Sequence, residues 1–347
     1  MAKGPRGGYS LHSVGPVSNL HGGHDPARDA WAAVPGPGSH RPYHIRPAER
    51  REIHAALEMI LGVDGRPAAE EQVVDFLRFA VYRGIDLNDT WLAVRDSGQL
   101  LWAVLPVVSP GRTMLLFSPT FIPPDLQDTC AAALVERAVE KHRRASVDLA
   151  QVLLDPADQD VARMYRRACN FALLAELIYL DRDVHRAPDA LLPDGYTWET
   201  YSGANHTDFA RAVIATYAHS LDCPRLNGRR KIDDVLAGHK AAGEFDPKLW
   251  FLLRCRDGSE AGVLLLSRST RSDGVELVYL GLASAHRGRG LGDAMMRHTL
   301  AVVAQIGSRR LSLAVDSNNA PALRLYRRHG LNKLCSRLAM LRDLRHT

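Results

Sequence analysis

The chain has 347 residues, 46% of them hydrophobic, with a formal net charge of +5 and a pI near 9.0. That length is generous for one domain and comfortable for two, and the apolar content excludes a chain without cores. Basic and acidic residues are interspersed, so the mild excess suits a small anionic ligand and does not mark a nucleic-acid surface.

Residues 1–40 hold many Gly, Pro, His and Ser and no usable period, which predicts a disordered tail. His12, His21, His24 and His40 are read there as solvated, and no metal site is expected. From Tyr43 the pattern becomes globular. Arg50–Leu61 and Glu70–Tyr82 have helical apolar spacing. Thr90–Arg95 and Leu100–Val108 read as strands around a Ser97-Gly98 turn, and Thr113–Phe117 as a third. A helix over Leu126–His142, a strand over Ala150–Leu154, a helix over Asp158–Ala168 and a strand over Leu173–Leu180 complete a first domain, 41–187. Pro188, Pro193 and Gly195 break the pattern and mark the boundary.

The second domain, 193–347, repeats the order. Strands are expected at Tyr196–Tyr201, Leu249–Cys255, Gly262–Ser267 and Val275–Leu282, and helices at Asp208–Tyr217 and Ile232–Lys240. A helix at 293–305, strands at 309–315 and Ser336–Leu341, and a helix at 321–329 follow. The halves also match in sequence. Trp91-Leu92 and Asp96 correspond to Trp250-Phe251 and Asp257. Val161-Ala-Arg-Met-Tyr-Arg-Arg167 lies beside Ala322-Leu-Arg-Leu-Tyr-Arg-Arg328, and Asp155 to Asp316 has the same offset of 161 residues. The chain reads as a tandem duplication of one α+β unit. No apolar run approaches membrane-spanning length, and no apolar signal core precedes the first domain. Cys130, Cys169, Cys223, Cys255 and Cys335 are scattered and without C-x-x-C spacing, as expected of a reducing cytoplasm.

The most informative stretch is Arg287-Gly288-Arg289-Gly290-Leu291-Gly292, between a strand and a helix. Glycines at such a turn free backbone N–H groups to converge on one anion, and the helix N-terminus adds roughly half a positive charge. A phosphate or pyrophosphate is the expected guest. The spacing differs from a dinucleotide fingerprint, and no Lys-Ser/Thr pair follows as in a P-loop. An Arg-Gly segment of a disordered RNA-binding tail is the competing reading; the periodic apolar segments on both sides oppose it. After the corresponding strand the first half reads Ser118-Pro-Thr-Phe-Ile-Pro-Pro-Asp125, with no glycine and three prolines that remove donors. The first copy is therefore read as degenerate and the second as competent.

Together with Asn319-x-x-Ala322-x-x-Leu325-Tyr326-x-x-x-Gly330-Leu331, this turn resembles the GNAT family of acyl-CoA-dependent N-acyltransferases over roughly Pro193–Leu341. Arg287, Gly290 and Gly292 fall on its Arg/Gln-x-x-Gly-x-Gly/Ala motif, and Leu331 stands where Phe is usual. The tandem arrangement resembles mycothiol synthase-like members. The resemblance implies tandem GNAT folds, each a mixed, mostly antiparallel twisted sheet flanked by helices. It implies acetyl-CoA as cofactor and a small-molecule or peptide amine as partner, with neither nucleic acid nor membrane. It places Gly288, Arg289, Gly290, Leu291, Gly292 and Arg287 at the cofactor phosphates. Backbone at Leu280 and Leu282 would hold the pantetheine arm and polarise the thioester, with Asn319 tying the next loop to that arm. Tyr326 would face the departing sulfur. Glu276 stands where histone-acetylating members carry a base, and lies on the face of Leu282 if its strand stays regular. The loop Ala218–Gly228, with Ser220, Asp222, Cys223, Arg225 and Asn227, would bind the acceptor. Cys223 as an acyl-carrying nucleophile has no evident His–carboxylate support. A non-catalytic acyl-CoA-binding module is the alternative, since both readings need the same cradle.

Overall fold

Apolar residues run unbroken through Trp250–Leu253 and through Val263–Leu266, the pattern of strands buried on both faces. A computed structural model of the chain describes residues 43–123, 126, 128–145, 147–269 and 273–345. The tail expected over 1–40 lies outside the described residues.

The chain divides into two units. The N-terminal unit takes the described residues up to Val108, then Thr113–Leu173 and the chain end from Met340. Its strands are β1 (Tyr43–Pro47), β2 (Trp91–Arg95), β3 (Leu100–Ser109), β4 (Thr113–Phe117) and β5 (Leu149–Leu154), in the order β1-β2-β3-β4-β5. β4 and β5 run parallel, whereas β1–β2 and β2–β3 are antiparallel. Its helices are α1 (Ile53–Ile60), α2 (Glu70–Arg83), α3 (Asp128–Arg144) and α4 (Gln159–Ala168). β1 has no counterpart in the sequence reading. Tyr-His-Ile-Arg-Pro offers one aliphatic residue and ends in proline, the composition of a short sheet edge.

The C-terminal unit takes Ser109–Arg112 and Leu174–Ala339. It contains most of β6 (Ala172–Asp183), then β7 (Tyr196–Thr200), α5 (His206–Tyr217), α6 (Ile232–Lys240), β8 (Trp250–Cys255), β9 (Glu260–Arg268), β10 (Gly274–Leu282), α7 (Leu291–Gln305), β11 (Arg310–Asp316), α8 (Ala320–Arg328) and the first two thirds of β12 (Asn332–Asp343). The strand order is β12-β6-β11-β10-β9-β8-β7. β10–β11 is parallel; β6–β11, β9–β10, β8–β9 and β7–β8 are antiparallel. The sheet is thus mixed and mostly antiparallel, as expected. One assignment changes: β6, read from sequence as the close of the first domain, pairs with β11 from Arg310↔Asp183 to Asp316↔Leu177. Hydrogen bonding, which a hydropathy pattern does not encode, decides its unit.

Both faces of this sheet are covered. Phe209, Val213, Val235 and Leu236 of α5 and α6 pack on Trp250, Leu252, Val263 and Leu265. Leu291, Met295, Met296, Leu300 and Val303 of α7 pack on Leu253, Leu264, Leu266, Leu311 and Leu313. Each such buried aliphatic contributes on the order of 1.5–3 kcal/mol. No helix among the described residues is long and apolar enough to cross a membrane.

Candidate active site

The site begins where two parallel strands part. β10 pairs with β11 only over Gly274–Glu276 against Arg310–Ser312. Beyond Glu276 the edge of β10 that faced β11 has no strand partner among the described residues. An open backbone edge of this kind can take an extended chain as an added strand.

A bulge in β10 decides which side chains reach the gap. The register with β9 shifts between Leu277 and Tyr279, so Val278 is the extra residue. Val275, Leu277, Leu280 and Leu282 all belong to the core on the α7 side. Val278 and Tyr279 pack on the α5–α6 side. Glu276, alternating with Val275 and Leu277, therefore shares the α5–α6 face with Ser267, its partner on β9. The even spacing to Leu282 predicted one common face; the bulge places them on opposite faces. Glu276 is 9% exposed and lies near the Tyr179 hydroxyl of β6. Burial, followed by the charges of Glu276 and Cys335, pushes the Tyr179 phenol well above its ordinary value. That hydroxyl is buried without a hydrogen-bond partner among the described residues.

The glycine turn leads from the end of β10 into α7. Gly288 and Gly290 have φ of 73° and 77°, a region that costs other residues about 1–2 kcal/mol. A Cβ on either would meet nothing within 4 Å. Gly290 caps α7, and its carbonyl accepts from Asp293 and Ala294. The N–H groups of Gly288, Arg289, Gly290, Leu291 and Gly292 make no hydrogen bond to the described residues. Five free donors at a helix N-terminus form an anion cradle. Gly292 serves packing as well. A Cβ there would sit 3.3 Å from Leu325, so its absence lets α7 and α8 approach.

The two arginines part company. Arg287 donates to the carbonyls of Leu282 (3.0 Å), His219 (3.0 Å) and Thr216 (2.8 Å), binding the end of β10 to the end of α5. It braces the cradle and does not reach toward phosphate, which corrects the role expected from sequence. Arg289 is exposed and has no side-chain partner among the described residues, so it is the cation available to an anionic guest.

Tyr326 packs on the α7 side and is 7% exposed. Burial, then the nearby Asp222 and Tyr279, raise its phenol well above the ordinary range, so it stays protonated. Its hydroxyl bonds to none of the described residues. Asn319 caps α8 by accepting from Ala322 N–H at 3.3 Å, and its amide also lies at Asp222. The acceptor loop is joined to β11 by a reciprocal clasp. Asp316 N–H donates to Asp222 Oδ1 and Cys223 N–H to Asp316 Oδ2, both at 3.1 Å. Cys223 sits at φ 44°, and burial with the two aspartates pushes its thiol far up, which opposes a nucleophilic role. Two residues of the site carry no functional signal in the sequence. Asp316 stands out there only through its offset from Asp155, and Tyr179 lies on a strand whose hydropathy assigns it to the other copy.

A mixed sheet parted between two parallel strands, with a donor-rich glycine turn beside the parting, can hold an anionic group and an extended arm together. The free donors, the open space above Gly288 and Gly290 and the unpaired strand edge fit a pyrophosphate-bearing cofactor with an extended arm. Residues 215–331 match the acetyltransferase (GNAT) family model. An uncharacterised N-acetyltransferase of Mycobacterium tuberculosis is 30% identical over 124 residues, 34% of this chain and 79% of that protein. The chain belongs to the GNAT acetyltransferase family. It is also similar to a mycothiol acetyltransferase of Clavibacter michiganensis subsp. michiganensis, 30% identical over 175 residues, 49% of this chain and 55% of the relative. A streptothricin acetyltransferase of Streptomyces lavendulae is 34% identical over 90 residues, 26% of this chain and 48% of that one. The chain thus spans about half the length of these two relatives. A GCN5-related N-acetyltransferase from Sphaerobacter thermophilus shares the fold, with a TM-score of 0.60, 19% identity, and coverage of 87% of this chain and 96% of that one.

Proposed function

We propose that the C-terminal unit is an acetyl-CoA-dependent N-acetyltransferase that acts on a primary amine by direct attack in a ternary complex. The observation that carries this reading is the row of free N–H groups from Gly288 to Gly292, at the mouth of the gap between β10 and β11. Acetyl-CoA would supply the acyl group and a thiolate leaving group. The cradle and Arg289 would hold its phosphates, and the open edge of β10 around Leu280 and Leu282 its arm. Tyr326 donates a hydrogen bond to the developing thiolate. Full proton transfer from a phenol near 10 to a thiolate near 8.5 is already uphill by about 2 kcal/mol, and burial of Tyr326 raises that cost. Glu276, on the face turned toward the acceptor loop, takes the proton of the amine. The names of the relatives favour a small-molecule acceptor over a peptide. The N-terminal unit is a degenerate copy that shapes or supports the competent one, and scattered free cysteines favour the cytoplasm.

The test is coenzyme A release across an amine panel, with kcat/KM followed against pH for wild type and Glu276→Gln. An aliphatic amine near pKa 10.4 is about 0.1% neutral at pH 7.5, so a base matters most for such acceptors. Loss of the acidic limb in the mutant, larger for high-pKa amines, is expected. Superimposable profiles would remove Glu276 from the mechanism. Acetyl-CoA binding without turnover of any amine would leave a non-catalytic acyl-CoA module.

A further inference from the structure

The clasp between Asp222 and Asp316 carries more than loop anchoring. Asp316 is 2% exposed, and its carboxylate accepts from the N–H groups of Cys223 and Asn318. Asp222 is only partly exposed, and one of its oxygens accepts from Asp316 N–H. No Lys, Arg or His among the described residues forms an ion pair with either carboxylate. Two carboxylates this close disfavour each other's charge unless a cation joins them. Backbone N–H groups satisfy hydrogen bonds but bring no net charge.

A second observation faces the same spot. The Tyr326 hydroxyl, on a side chain more than nine-tenths buried, has no partner among the described residues and lies within electrostatic reach of Asp222. With no such partner, this hydroxyl is free to bond a guest. Around Asp222 stand Asp316 of β11, Asn319 at the head of α8, Tyr326 of α8, Tyr279 of β10 and Cys223 of its own loop. None of these is a cation.

We infer that Asp222, backed by Asp316, is the seat for the acceptor's ammonium, so that the protein takes aliphatic amines as cations and discriminates against uncharged arylamines. This rests on the acetyltransferase reading and adds the charge and class of its acceptor. Asp222 holds the nitrogen beside Tyr326; proton removal is left to Glu276. Asp222 is pushed above the ordinary carboxyl range by burial, with Asp316 adding to the rise while its backbone N–H and Asn319 oppose it. Its charge, and with it the seat, is therefore lost as pH falls through that raised value.

The experiment is calorimetry on the full chain with spermidine, glucosamine and aniline, beside an acetyl-CoA titration. Wild type should bind at least one of the two aliphatic cations and not aniline, with affinity falling as the pH is lowered. Asp222→Asn should weaken that binding by about 10- to 100-fold, the range of a hydrogen bond to a charged group, and leave acetyl-CoA affinity unchanged. Asp222→Glu, which keeps the charge, should retain part of the binding. Equal binding by Asp222→Asn, pH-independent affinity, or no binding of either cation to wild type would overturn the proposal. If Asp222→Asn does not fold, the wild-type pH dependence decides. Failure of acetyl-CoA to bind would sink the acetyltransferase reading separately, whatever the cations do.

Discussion

The two copies place homologous residues in opposite states, and tyrosine makes the contrast sharpest. Tyr165 and Tyr326 occupy matching positions on α4 and α8. Tyr165 is fully buried, lies edge-on to Phe171 at 5.1 Å and has its hydroxyl 3.0 Å from Ser118 Oγ. Ser118 opens the turn that corresponds to the glycine cradle. In that turn Phe121 lies against Gly65, and its carbonyl accepts from Trp102 Nε1 at 3.2 Å. In the second copy the tyrosine hydroxyl bonds to none of the described residues and the turn exposes donors to open space. One copy ties its tyrosine hydroxyl into the fold, and the other leaves it without a partner among the described residues.

Breaking the cradle should have the largest effect. Gly290→Pro removes an N–H and cannot adopt φ 77°. Acetyl-CoA binding should disappear in calorimetry, with circular dichroism confirming that the sheet remains. Wild type should bind one acetyl-CoA per chain; two equivalent sites would erase the asymmetry between the copies.

Tyr326→Phe comes next. Its hydroxyl acts only as sulfur departs, so kcat should fall by about 10- to 1000-fold with little change in acetyl-CoA affinity. Unchanged turnover, with chemistry shown to be rate-limiting, would assign Tyr326 to the same structural role as Tyr165.

The matching change in the other copy should be the mildest. Tyr165→Phe gives up the contact with Ser118 and should cost about 1 kcal/mol of stability, read as a lower denaturation midpoint. Turnover should not change. A large loss of activity would show that the first copy contributes to chemistry.

The sequence by itself determined the element order after β1, the tandem repeat and the position of the glycine turn. These are local properties: apolar periodicity, backbone conformations that favour glycine, and donors removed by proline. Gly288 and Gly290 were legible because φ near +75° selects their identity. Tertiary structure decided the rest. Strand pairing moved β6 and its Tyr179 into the C-terminal unit, because hydrogen bonding between distant strands leaves no trace in hydropathy. One extra residue in β10 turned Glu276 away from the face of Leu282, because a bulge inverts the alternation on which facing arguments depend. The guanidinium of Arg287 went to carbonyls of α5 and its following turn, 68 and 71 residues away. The Asp222–Asp316 clasp joins residues 94 positions apart, and only folding brings two such carboxylates close enough to share a cation.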